Sequence, residues 1–154
     1  MKKIFIPVVC CAASLLAVTL LAKPAPPKTS PILGTWKLLS AKVISKGDTT
    51  VNFPVAGQEM IKIFTNSQFS FFRHDTTKGK GENSTFQAGS GTYTLNGHVY
   101  TEHLTYCSFR DWENQDFTFT LTIKKDTIIQ IGIEKIEDLG VNHEIVETYV
   151  RIGR

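Results

Sequence analysis

Residues 116–124 alternate apolar and polar side chains without a break. Phe117, Phe119, Leu121 and Ile123 fall on one side; Thr118, Thr120 and Thr122 fall on the other. A period of two is the pattern of a strand with one buried face and one wet face, because successive side chains point to opposite sides. Such a strand needs partners, and the surrounding sequence supplies them. No stretch longer than a turn after residue 34 carries a helical period. The ten Phe and the many Thr and Ile favour extended structure.

Turn signals divide the chain into short strands. Predicted strands cover 36–45, 49–53, 60–64, 68–73, 86–95, 98–107, 116–124, 127–135 and 143–152. The first alternates imperfectly, which implies burial on both faces or a bulge. Asn96-Gly97 predicts a two-residue type I′ hairpin. Gly89 and Gly91 inside their strand predict sharp curvature. Residues 74–84 form a polar, glycine-bearing stretch expected to be a mobile loop at one mouth of the fold. Eight to ten short strands in one domain mean an all-β, single antiparallel barrel or a sandwich.

The first 32 residues are different in kind. Lys2-Lys3 followed by an apolar run to Leu21, with Ala22 as a cleavage residue, reads as a signal peptide over 1–22. An uncleaved anchor, or a lipidated Cys10 or Cys11, are the alternatives. A proline-rich spacer follows at 23–32 and a single domain at 33–154. The expected location is exported, either periplasmic or secreted. Membrane contact would come only through that N-terminus. Cys107 is the one cysteine beyond residue 22, so an internal disulfide is excluded after cleavage. The formal charge is +3, and Lys2 and Lys3 are the only charged residues of the first 22, which leaves the remainder nearly balanced. That balance argues against nucleic acid as a partner.

Gly34-x-Trp36 opening the first strand, with Arg151 near the end of the last, resembles the lipocalin pattern. The strings Gly34-Thr35-Trp36-Lys37-Leu38, Gly91-Thr92-Tyr93-Thr94-Leu95, Tyr100-Thr101-Glu102 and Glu147-Thr148-Tyr149-Val150-Arg151-Ile152 are similar to a bacterial exported lipocalin-like family of uncharacterised function. The resemblance implies a calycin-type barrel. In it Gly34, Trp36 and Arg151 close one end, with the guanidinium against the indole. The Asp-Tyr loop motif and C-terminal helix usual in lipocalins are absent, so the resemblance does not carry a transport role with it.

If Trp36 and Arg151 face inward, parity turns Ile145, Glu147 and Tyr149 inward as well. Tyr100, Glu102, Leu104 and Tyr106 share one face of their strand, and Gln130 can join the interior. Tyr93, Tyr100, Glu102, Gln130, Glu147 and Tyr149 are therefore the candidate ligand-binding residues. They mix polar groups with apolar walls, as small-molecule sites do. The expected partner is a small hydrophobic or amphipathic ligand. The competing reading is a barrel filled by its own side chains that works through its surface. Trp112, in a polar loop, is either a plug on the core or a contact residue. Glu102 and Glu147 as a general acid and base are the only enzymatic reading, and the chain is read as a non-enzyme. His74, His98, His103 and His143 lack metal-ligand spacing, and no cofactor motif is present.

Overall fold

The computed structural model describes residues 30–82 and 84–153. The expected signal peptide and most of the spacer lie outside the described residues. Nine strands make one antiparallel sheet: β1 Gly34–Ser45, β2 Asp48–Phe53, β3 Gln58–Phe64, β4 Gln68–Asp75, β5 Phe86–Asn96, β6 Val99–Cys107, β7 Gln115–Lys124, β8 Thr127–Ile136 and β9 Val141–Ile152. One-turn 3-10 helices sit at Arg110–Trp112 and Glu137–Leu139.

Pairing of β1 with β9 closes the sheet on itself. One edge of β1 is divided. Its first half pairs with β3 and its second half with β2, so eight strands form the barrel and β2 flanks it. Closure satisfies the backbone groups that an open edge would leave unpaired.

The uneven alternation of β1 is a bulge at Leu39. Leu38 pairs with Tyr149 and Ser40 with Thr148, so Leu39 is passed over. Trp36 and Leu38 face inward before it, and Ala41 and Val43 after it, while β9 keeps one inward set throughout. The skipped Leu39 is exposed.

Three sequence expectations are corrected. The hairpin loop is Gly97-His98, because Asn96 still pairs with Val99. Gly97 has φ +61° while Asn96 and His98 keep negative φ. A left-handed glycine at the first loop position is the type II′ pattern, so a type I′ turn centred on Asn96-Gly97 does not form. Tyr106 faces out, 68 % exposed, because a second bulge breaks β6: Leu104 pairs with Gly91 but Tyr106 with Ser90. Cys107 takes the inward place instead. Finally, Ile32, placed in the spacer by sequence, is fully buried in the core.

The two ends of the barrel differ. Short links at 65–67, 97–98 and 125–126 lie at one end, together with the incoming chain at Ser30–Leu33. The longer connections 76–85 and 108–114 lie at the other. The largest fully buried side chains, Trp36, Phe69, Tyr100, Phe119, Leu121, Ile128 and Tyr149 among them, gather toward the short-link end.

Candidate functional site

The short-link end is sealed. Arg151 lies 4.1 Å over the Trp36 ring. It donates to the carbonyls of Leu33 and Pro31 and approaches Asp126 at 3.5 Å. The Trp36 indole N–H donates to the Ile32 carbonyl at 2.7 Å. Gly34 has φ +118°, and a Cβ there would stand 2.8 Å from the guanidinium. The Gly-x-Trp spacing thus has a local cause: glycine leaves room for the arginine that covers the tryptophan.

Above this plug lies a polar cluster. Lys62 is buried on β3 and donates to Glu102 at 2.7 Å and to Gln130 at 3.4 Å. Its ammonium also faces the rings of Phe69, Tyr100 and Phe64 at 5.0, 5.1 and 5.6 Å. The Tyr100 hydroxyl donates to the same Glu102 oxygen at 2.6 Å, and the Tyr149 hydroxyl donates to Glu147 at 2.6 Å. Burial first, and the adjacent carboxylates second, hold both phenols well above their ordinary pKa. No buried side-chain polar atom among the described residues lacks a partner.

Beyond the cluster the interior opens into two adjoining chambers. One, of about 230 Å³, is walled by Met60, Phe71, Leu104, Phe117 and Trp112, with Glu102, Glu134 and Glu147 among its polar groups. The other, of about 340 Å³, adds Ala41, Phe53, His143 and Ile145. Met60, Arg73, Trp112, Glu134 and Glu147 line both. The second chamber alone falls within the roughly 300–1,000 Å³ usual for small-molecule sites.

Local rules place these groups. The Phe71 ring lies across Gly89, where a Cβ would meet it at 2.3 Å, so this glycine gives the ring its place against the wall. Trp112 reaches in from the 3-10 turn between β6 and β7 and packs on Phe117, centroids 5.8 Å apart. Arg73 donates to Gln58 at 2.8 Å, and its guanidinium faces Phe53 at 5.7 Å. Glu134 and His143 pair across β8 and β9, their side chains 2.9 Å apart. Burial raises the Glu134 pKa to about 7, and the Glu147 charge adds to the rise against the opposing pull of His143. Burial likewise raises that of Glu147.

The six predicted lining residues therefore separate. Glu102 and Glu147 line the open chambers. Tyr100, Gln130 and Tyr149 are fully or almost fully buried behind them and bond to the charged cluster. Tyr93 is elsewhere: it packs on Phe64 and Tyr100 and donates to the Thr65 carbonyl at the sealed end. Gly34, Trp36 and Arg151 lie together at the sealed end. Sequence reasoning missed Lys62, Arg73, Glu134 and His143. Parity held the signal for each: Lys62 shares the face of Phe64, Arg73 that of Phe69 and Phe71, Glu134 that of Gln130, and His143 that of Ile145. Among the described residues no group of three or more His, Cys, Asp or Glu is arranged to hold a metal ion.

The polar loop 76–85 is tied down by Asp75. Its carboxylate accepts from the Thr77 amide and hydroxyl, the Gly79 amide and the Thr85 amide. The Thr77 hydroxyl bond leads the causes that hold its pKa well below the usual carboxylate range.

No family model matches this sequence, and no curated protein does. One solved structure shows the shared fold. A lipocalin-like protein from Bacteroides uniformis superposes with a TM-score of 0.50 at 13 % identity, over 80 % of this chain and all of that one. An uncharacterised protein from Bacteroides eggerthii gives 0.47 at 12 %, over 79 % of this chain and 99 % of that one. The chain has a lipocalin-like fold, a closed eight-stranded antiparallel β-barrel.

Proposed function

We propose that this is an exported, non-enzymatic binding protein that holds one small, partly apolar molecule in the open half of its barrel. The observation that carries the reading is the division of the interior: the sealed half is packed with side chains, while the open half holds chambers with aromatic walls and a few placed carboxyls. Apolar walls supply affinity and fixed polar groups supply orientation. Trp112 is the wall contributed by a connecting loop. The export part of the proposal rests on the sequence of residues 1–22.

The test is a titration with 2-phenylethanol followed by protein-detected NMR. Trp36 and Trp112 supply two indole N–H signals, one in the plug and one at the chambers. A saturable shift of the Trp112 signal, with Trp36 unmoved, is the expected result. It should vanish in Met60→Trp, which fills the space shared by both chambers. A wild-type protein indifferent to the alcohol would count against the reading.

A second reading has one observation in its favour. Phe72, Phe86 and Tyr106 are exposed on the outer face of β4–β6, at 37, 70 and 68 %. An outer aromatic face suits a surface interaction module. It predicts that replacing these residues by Ser abolishes partner capture while leaving cavity binding intact.

A further inference from the structure

Resting on the reading of the chambers as a ligand site, we propose that their ligand carries a protonated amine on an apolar body. The ammonium lodges between Glu134 and Glu147, and the apolar part lies against Phe71, Phe117 and Trp112. This names a charge class for the site, and four features of the chambers support it.

First, the acids outnumber the cations available to them. Glu102, Glu134 and Glu147 all line the first chamber. Lys62 is committed to Glu102 and Gln130 and enclosed by three aromatic rings. Arg73, which lines both chambers, bonds neutral Gln58 and faces Phe53, so its charge offsets one acid and leaves the first chamber with a net negative lining. Second, Glu134 and Glu147 line both chambers, so a group between them is reached from either. Third, Glu134 pairs with His143, and Glu147 accepts from the Tyr149 hydroxyl and feels the Lys62 charge. A carboxylate has capacity for further donors, which an ammonium with three N–H groups can supply. Fourth, an aromatic wall beside carboxylates attracts a cation through the ring faces as well as through charge. An anion entering the first chamber would meet three carboxyls against the single guanidinium of Arg73.

Burial and mutual repulsion oppose ionisation of Glu134 in the empty cavity. A cation between the two acids relieves that repulsion and favours their charged forms. The groups that face Glu134 across this space are Glu102, Glu147 and His143.

The experiment compares three probes of one shape: phenethylamine, 2-phenylethanol and phenylacetate. Each is titrated at about pH 8, where a primary amine is protonated, with the Trp112 indole signal as readout. The amine is expected to bind at least about tenfold more tightly than the alcohol, or about 1.4 kcal/mol, and phenylacetate most weakly. Glu134→Gln and Glu147→Gln, each checked for a native spectrum, should narrow the ratio of amine to alcohol affinity. Equal binding of amine and alcohol, or preference for phenylacetate, overturns the charge assignment while the ligand-site reading stands. Binding of none of the three overturns both. An amine preference unchanged in both Gln variants also overturns the assignment.

Discussion

Lys62 and Glu102 meet at 2.7 Å inside the barrel, from strands β3 and β6, which are not neighbours in the sheet. Their side chains are only 5 and 9 % exposed. The pair crosses the lumen and divides the packed half from the open half. Removing one partner of such a pair leaves the other charge buried and uncompensated, whereas removing both can be nearly neutral.

Lys62→Met is therefore expected to lower unfolding free energy by about 3–5 kcal/mol. The double variant Lys62→Met with Glu102→Gln should recover most of the loss, since the Gln still accepts from Tyr100. Urea denaturation of the two single variants and the double gives the coupling. Additive losses would mean that the two side chains act independently.

The sealed end makes a graded prediction. Trp36→Ala should cost about 3–5 kcal/mol, as for other buried large aromatics. Arg151→Lys should cost about 1–2 kcal/mol, because a lysine cannot serve the Leu33 and Pro31 carbonyls together while covering the indole. Gly34→Ala should destabilise through both its left-handed φ and the close guanidinium. Chemical denaturation checks the order, and an Arg151→Lys loss as large as that of Trp36→Ala would contradict it.

Stability should fall as pH rises from about 5 to 8. The Glu134 carboxyl has a folded pKa of about 7, above its unfolded value of 4.5. The folded state then holds more protons than the unfolded state between those values. The contribution is complete below about 4.5 and is lost as pH rises through 7. At 1.36 kcal/mol per pKa unit the loss is at most about 3 kcal/mol. Glu147, whose pKa burial also raises, and the neighbouring Glu102 and His143 act on the same carboxyl. Unfolding free energies at several pH values should decline across this window in the wild type and much less in Glu134→Gln. Equal slopes would refute the assignment.

Asp75 acts in the opposite direction. Its pKa is depressed in the fold, so its contribution is present at neutral pH and lost as pH falls below the ordinary carboxylate range. Asp75→Asn should release the 76–85 loop. Amide hydrogen exchange at Thr77, Gly79 and Thr85 is expected to quicken, while the strands keep their protection. Unchanged exchange at those three amides would rule out the carboxylate as the anchor.

How far the sequence disclosed this arrangement depended on what sets each feature. The unbroken alternation of 116–124 reports a strand whose two faces meet different solvents, and it became β7 with Phe117, Phe119 and Leu121 buried. Trp36 and Arg151 were legible through the resemblance carried by Gly34-x-Trp36 and a last-strand Arg, and that pairing in turn named the inward face of β9. Glu102 and Glu147 followed from the same parity. Tyr106 did not, since one extra residue in β6 reverses the face and no side chain announces it. Lys62 was overlooked for another reason. A lysine between isoleucines reads as a solvent contact, and its burial is made tolerable by Glu102, forty positions away in sequence, with Gln130 beside it. The depth of the chambers depends on how Phe71 lies over Gly89 and Trp112 over Phe117, which are packing relations between strands and loops rather than properties of any one segment.

Native mass spectrometry of the protein purified from its own host tests the central claim most directly. The account predicts a wild-type species heavier than the polypeptide by one small molecule, released on denaturation and absent from natively folded Met60→Trp. A natively folded wild type that carries no added mass, and that takes up none of the three probes, would contradict it.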